Sequence, residues 1–120
     1  MDQTTTLMSL REQVRIFCED RDWDQFHGPK DLAIGVITEA SELLERFRFL
    51  DEDASQKALT DDRQRSRIGD ELADVLFFLL RFADRFDFDL DDALRRKMAM
   101  NAKNYPVNKA RGSNRKYSEL

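Results

Sequence analysis

The sequence predicts an all-α fold, a bundle of four to five helices completed by association between copies, and three observations predict it. Glycine and proline are scarce, four and two in 120 residues, so strand and turn signals are few, while Leu, Ala, Arg, Glu and Asp supply helix cores and surfaces. Apolar residues recur three and four apart in separate stretches, the period of a helix with one buried face. One stretch, Val75 to Leu80, is apolar around its whole circumference, which for a helix means contact on more than one side. A chain of this length supports one core, so the organisation expected is a domain over residues 1–106 followed by a basic tail at 107–120.

Ser9-Leu10-Arg11-Glu12 has the spacing of a capping box, and Leu10, Val14, Phe17 and Cys18 follow on one face; a first helix is expected to reach about residue 21. Arg21 to Lys30 (RDWDQFHGPK) contains Gly-Pro and large aromatic side chains, the marks of a connection. A second helix over roughly 31–49 carries Ala33, Val36, Ile37, Ala40, Leu43, Leu44 and Phe47 as a continuous stripe. Asp51 to Thr60 is polar and aperiodic and reads as a link. A third helix, capped near Thr60 and running to about Asp87, holds the circumferentially apolar stretch. Left exposed, that band would invite aggregation, so this helix belongs at the centre of a homodimer or homotetramer. A fourth begins after the cap-like Asp89 and stops at about Tyr105, before Pro106.

No stretch approaches the ~20 apolar residues that span a bilayer, and MDQTTTLMSL lacks the basic start and apolar run of a signal peptide. No membrane role and a cytoplasmic location are therefore expected. Cys18 is the one cysteine and reads as a structural thiol, its pKa raised by Glu19 and Asp20. The net charge of −4 hides an asymmetry: residues 1–94 hold 12 basic and 23 acidic side chains, residues 95–120 hold 8 and 1. An acidic body with a basic arm suits a metal ion together with a phosphorylated ligand. Nucleic acid ranks below a small anionic ligand, because the arm has no patterned aromatics or groove-reading motif.

Two carboxylate pairs carry the chemistry. Glu39 and Glu42 sit one turn apart on the second helix, and Glu71 and Asp74 repeat that spacing on the third. Glu71 shares its face with Val75, Phe78 and Phe82, a poor setting for an idle charge; a cation or strong hydrogen bonding must compensate it, and Arg67, Arg81 and Arg85 lie near Asp74 on the helical wheel. Each pair alone would pass for a solvated helix face; two on neighbouring helices point to a shared metal. Carboxylates without histidine suit Mg²⁺, a hard ion that takes oxygen ligands and keeps positions for phosphate oxygens. A di-iron or di-manganese bundle needs Glu-x-x-His, and His27, the single histidine, lies in a connection. Zinc would lack its usual ligand set.

With their flanks, these residues resemble a family. Glu39-x-x-Glu42 and Glu71-x-x-Asp74, the run Arg21 to His27, Lys97-Met98 with Asn101 and Tyr105-Pro106, and Arg115 to Leu120 are similar to the all-α nucleotide pyrophosphohydrolases, the MazG-like group, in its dCTP pyrophosphatase branch. The resemblance runs from about residue 9 to the end. It implies cleavage of a nucleoside triphosphate between the α and β phosphates, dCTP or a modified dCTP above all, in nucleotide-pool cleaning. It also implies that the four carboxylates serve a Mg²⁺ site. Glu39 or Glu42 is then the catalytic base, on the expectation that Glu71 and Asp74 are more enclosed. Arg85, Lys97 and Asn101 match positions that contact substrate; Tyr105 continues the Lys97–Asn101 face. Trp23 offers a flat face for a base, or else a staple over the entrance to the second helix. His27 is placed to stack on or hydrogen-bond to the nucleotide, or to brace the Gly28-Pro29 turn. Phe49 stands where relatives carry tryptophan, Phe78 where they carry tyrosine and Val14 where they carry histidine. The competing reading is a non-catalytic helical adaptor using the apolar face of the third helix for a partner.

Overall fold

A computed structural model describes residues 4–120; Met1 to Gln3, the start of the expected domain, lie outside the described residues. Among the described residues there is no strand, and the helices are α1 (Leu7–Asp20), α2 (Pro29–Glu45), α3 (Glu52–Ala58), α4 (Asp62–Phe86), α5 (Leu90–Asn104) and α6 (Val107–Ala110), with 3₁₀ turns at Asp24–Phe26 and Tyr117–Glu119. The all-α class is the one expected. The chain divides after Asp87 into two compact units. In the first, α1 and α2 pack on α4. Its core is small: Cys18, Leu32, Ala58, Ile68, Leu80 and Ala83 are its buried hydrophobic residues.

The starts of α1 to α5 are each fixed by a local side-chain hydrogen bond, and three differ from the expected position. α1 begins a turn before Ser9-x-x-Glu12, because Thr6 is extended and its Oγ1 accepts the Ser9 amide at 3.0 Å. α2 begins at Pro29, where the missing N–H costs nothing, and the Asp31 carboxylate accepts the Gly28 amide at 3.3 Å. α4 is capped by Asp61 rather than Thr60, its carboxylate accepting the Gln64 amide at 2.9 Å. The α2 stripe ends early: beyond Glu45 the amides of Arg46, Phe47 and Leu50 bond three residues back, tightening the chain into turns.

The expected link holds a helix of its own. Asp51 caps α3 by accepting the Ala54 amide at 2.8 Å, and Ala58 is buried. Seven residues with one buried side chain leave no amphipathic period to read. In the second unit, Asp89 caps α5 as expected, accepting the Asp92 amide at 3.0 Å. Past Pro106 the chain forms α6 and a final 3₁₀ turn whose Tyr117 ring meets Tyr105 edge-on at 5.9 Å.

The α2–α4 contact depends on Gly35. A Cβ there would stand 2.4 Å from two ring atoms of Phe78, far inside van der Waals distance, so the two helices approach as only glycine allows. In an open helix Gly→Ala is stabilising. Here Gly35→Ala should destabilise by about 1–3 kcal/mol through overpacking, read by urea unfolding. An alanine variant as stable as the parent would show that α2 and α4 can separate without cost.

Candidate metal centre

α2 and α4 run antiparallel: Gly35 meets Phe78, and Arg46, at the C-cap of α2, meets Glu71, which precedes Phe78 on α4. Between these contacts the four carboxylates converge. One oxygen from each of Glu39, Glu42, Glu71 and Asp74 lies within 4.8 Å of the others. They are unequal: Glu71 is 7% exposed, Glu39 half-buried, Glu42 and Asp74 exposed. The expected enclosure holds for Glu71 and fails for Asp74, which the helical period turns away from Glu71 toward the rim.

The compensation of Glu71 also differs from the expected one. Arg46, at the C-cap of α2, donates from Nη2 to Glu71 Oε1 at 2.9 Å. Glu71 Oε2 is buried and has no hydrogen-bond partner among the described residues. Arg81, expected near Asp74, is committed elsewhere. Burial first, then a hydrogen bond and repulsion from Glu42, and repulsion from Asp74 and Glu71, hold the Glu39 carboxyl above the usual carboxylate range. An orphaned buried oxygen among four crowded carboxylates is the electrostatic shape of a cation site. Its all-oxygen donor set suits a hard divalent ion.

A second polar cluster lies further along α4. Arg81 is 1% exposed, and its guanidinium turns to the 3₁₀ connection, where Nε donates to His27 Nδ1 at 2.9 Å and Nη2 to Asp24 Oδ1, while Nη1 faces Asp84 Oδ2 of its own helix at 3.5 Å. Arg85 donates to the Asp24 carbonyl at 3.4 Å. Because His27 accepts at Nδ1, its neutral form carries the proton on Nε2. Burial, then Arg81 and Arg85, outweigh Asp24 and Asp31 and hold the imidazole below its ordinary pKa. Trp23 packs edge-on against Phe17 at 5.7 Å and lies 6.1 Å from the His27 ring; Phe17 in turn meets Phe77. Cys18, fully buried beside this cluster, has its thiol pKa raised, by burial rather than by Glu19 and Asp20.

The MazG-like family model matches residues 34–120 of this chain, a segment that contains all four carboxylates. The chain belongs to the MazG-like family. It is 37% identical to dCTP pyrophosphatase 1 of Homo sapiens over 115 residues, 96% of this chain and 68% of that protein, and 36% identical to the Bos taurus protein of the same name over the same shares. Among solved structures, a pyrophosphatase from Archaeoglobus fulgidus superimposes with a TM-score of 0.77 at 34% identity, covering 82% of this chain and 91% of that one. The resemblance read from the carboxylate pairs is thereby met at the level of family and branch.

In this MazG-like chain the other anticipated residues belong to both units. Trp23 and His27 share the pinned connection, and Arg85 reaches its backbone. Phe49 is 85% exposed in the turns after α2, with the Arg48 guanidinium 5.0 Å from its ring. Lys97 and Asn101 are exposed on α5, and Tyr105 is its C-cap. Arg46 and Asp24 were missed by the sequence pattern, and Arg81 was expected near Asp74. A run of charges gives no sign of which member is buried, and only the fold shows that Arg81 turns inward.

These bonds make the fold acid-sensitive in two steps. His27 has a depressed folded pKa, so below the ordinary histidine value of about 6.5 the unfolded chain binds a proton that the folded chain refuses. Stability then falls with pH through that window. Asp24, held low mainly by its hydrogen bond to Arg81, adds a further loss as pH drops below the usual carboxylate range. His27→Gln, whose amide oxygen can still accept from Arg81, should remove the first step and keep the second in unfolding measured across pH. Coincident profiles for variant and parent would exclude His27 as the origin.

Proposed function

We propose that this chain hydrolyses a nucleoside triphosphate to the monophosphate and pyrophosphate, at a magnesium ion held by Glu39, Glu42, Glu71 and Asp74. The observation that carries the reading is Glu71 Oε2, buried without a partner in a cluster of four carboxylates. Arg46 meets only the other oxygen, and a buried acceptor left unpaired costs about 1–3 kcal/mol, more on a charged group, which a metal ion at Oε2 would offset. The names of the relatives, dCTP pyrophosphatase 1, favour dCTP as substrate; a modified dCTP as a second substrate and a place in nucleotide-pool cleaning in the cytoplasm are further parts of the proposal. No helix among the described residues is long and apolar enough to cross a membrane. A non-catalytic adaptor would leave the buried carboxylate unexplained.

Magnesium bound by these oxygens would neutralise phosphate charge and polarise the phosphate under attack. The residues of the chain do the rest. Water forms a bond to the α phosphorus as the bond to the α,β-bridging oxygen breaks, and pyrophosphate leaves with that electron pair. Glu39 or Glu42 takes the proton of the water, since these two are not tied to Arg46 as Glu71 is. The Trp23 ring offers a face for the base, and Phe49 a second one. His27, fixed by Arg81, presents an Nε2–H donor. Arg85, Lys97, Asn101 and Tyr105 supply donors for sugar and phosphates. The catalytic domain on this reading spans residues 1–106, and 107–120 is its basic arm.

A homo-oligomer, dimer or tetramer, is part of the proposal. Leu72, Leu76 and Leu79 form an exposed stripe on α4, about 160° around the helix from Asp74 and Arg81. A second copy of the chain would cover it. Light scattering after gel filtration should give a multiple of 14.1 kDa, and Leu76→Glu should shift it toward the monomer; a wild-type monomer would overturn this part.

With Mg²⁺, purified protein should release pyrophosphate from a panel of canonical and modified triphosphates, fastest with cytosine bases. No release from any member would sink the proposal. Glu71→Gln should lower kcat/KM by more than about 100-fold, since partners one shell further from a metal are already worth that much, and should leave the helical fold intact by circular dichroism. Near-normal turnover in that variant would remove Glu71 from the site.

A further inference from the structure

Beside the carboxylate cluster lies a cavity of about 570 Å³ that is lined by Arg46, Arg63 and Arg67 together with Glu45 and Asp61. The two acids have other engagements: Asp61 caps α4 through the Gln64 amide, and Glu45 pairs with Arg48 at 3.1 Å. The arginines have donors to spare. Arg63 and Arg67 are exposed and make no ion pair among the described residues. Arg46 places one nitrogen on Glu71, out of a guanidinium with five N–H groups. The first turns of the 25-residue α4 open here, so the positive end of its dipole adds to the three cations. Three planar forks at a helix start are matched by a tetrahedral oxyanion of the phosphate class.

Arg46 belongs to both places. It is one wall of the cationic cavity and, among the described residues, the ion-pair partner of the buried Glu71. Its charge beside Glu71 opposes any divalent ion bound by the same carboxylate, and an oxyanion on its free N–H groups would cancel that opposition. We propose that Arg46, Arg63 and Arg67 form a phosphate-class oxyanion site coupled through Arg46 to the carboxylate cluster, so that oxyanion and metal strengthen one another's binding. The coupling half rests on the metal reading above; the oxyanion half does not. Thermodynamic reciprocity requires the two enhancements to be equal.

Titration calorimetry with Mg²⁺, in the presence and absence of inorganic phosphate, tests it, with ionic strength matched by chloride and free Mg²⁺ corrected for phosphate complexes. Phosphate should tighten Mg²⁺ binding by about fivefold or more. Arg63→Ala with Arg67→Ala should bind Mg²⁺ alone as the parent does and lose the phosphate effect. Arg46→Met should bind Mg²⁺ more tightly than the parent and ignore phosphate. A wild-type Mg²⁺ affinity indifferent to phosphate, or a double variant that keeps the full effect, overturns the coupling. If wild type binds no Mg²⁺, the proposed function and the coupling both fall, while ³¹P line broadening of phosphate by metal-free protein still decides the oxyanion site: broadening lost in the double variant supports it, and none in the wild type overturns it. Repeating the titration with a non-hydrolysable triphosphate separates the sources. Nucleotide affinity lost in the double variant assigns the site to the phosphates of the substrate, and affinity unchanged assigns it to free phosphate.

Discussion

The approach of α2 to α4 at Gly35 is the constraint from which the rest of the first unit follows. Phe78 fills the space that a Cβ would take, and that contact sets both the separation and the register of two antiparallel helices. Glycine weakens a helix interior by roughly 0.5–1 kcal/mol relative to alanine. The cost is small beside what the contact fixes. One turn beyond Gly35 the Glu39–Glu42 pair comes level with Glu71 and Asp74 on α4, and the four carboxylates meet within 4.8 Å. A wider crossing would leave two ordinary solvated pairs.

Within that frame the electrostatics are uneven by construction. Exposed carboxylates such as Glu42 and Asp74 repel one another through water and are individually cheap. Glu71 is different, because burial strips its hydration and Arg46 restores a partner to one oxygen only. The Arg46 side chain is 38% exposed in this pair, so the cation is partly hydrated while its anion is not. A complete buried ion pair would have been a self-contained structural feature. A half-satisfied one leaves a definite demand for positive charge at a definite atom, which separates this cluster from the acidic surface around it.

Much of this was legible in the sequence, and the remainder for physical reasons was not. Period and composition suffice for α1, α2 and α4, each with a long apolar repeat and a capping side chain near its start, and α5 is marked by its Asp89 cap and the Pro106 stop. α3 has one buried residue in seven, too few to make a period. Caps moved by one to three residues because Thr6, Gly28 and Asp61 compete with equally plausible neighbours, and backbone geometry decides among them. The carboxylate quartet was readable because i, i+3 spacing survives folding unchanged. Arg46 and Arg81 were not readable: an arginine on a helix is solvated or buried according to which segment crosses it, and here the turns after α2 and the Asp24–His27 connection make that choice.

Asp74, Phe78, Arg81 and Arg85 recur three and four apart and so share one stripe of α4. Asp74 is exposed and Arg81 buried, although their side chains point the same way. The difference is the connection before α2, which covers the Arg81 end of the stripe and leaves the Asp74 end open beside Glu39 and Glu42. Phe78, seated on Gly35, lies between the two ends. The carboxylates and the pinned Trp23–His27 segment are thus referenced to one rigid helix at a fixed axial offset, seven residues or about 10 Å from Asp74 to Arg81. A shift of α4 along α2 would carry Glu71 and Asp74 away from Glu39 and Glu42 and break the quartet, whereas loss of the Arg81 bonds would free the aromatic segment and leave the carboxylates in place. The two parts of the site are coupled in position through α4 and independent in what holds them, so a defect in either can be recognised by which measurement it moves.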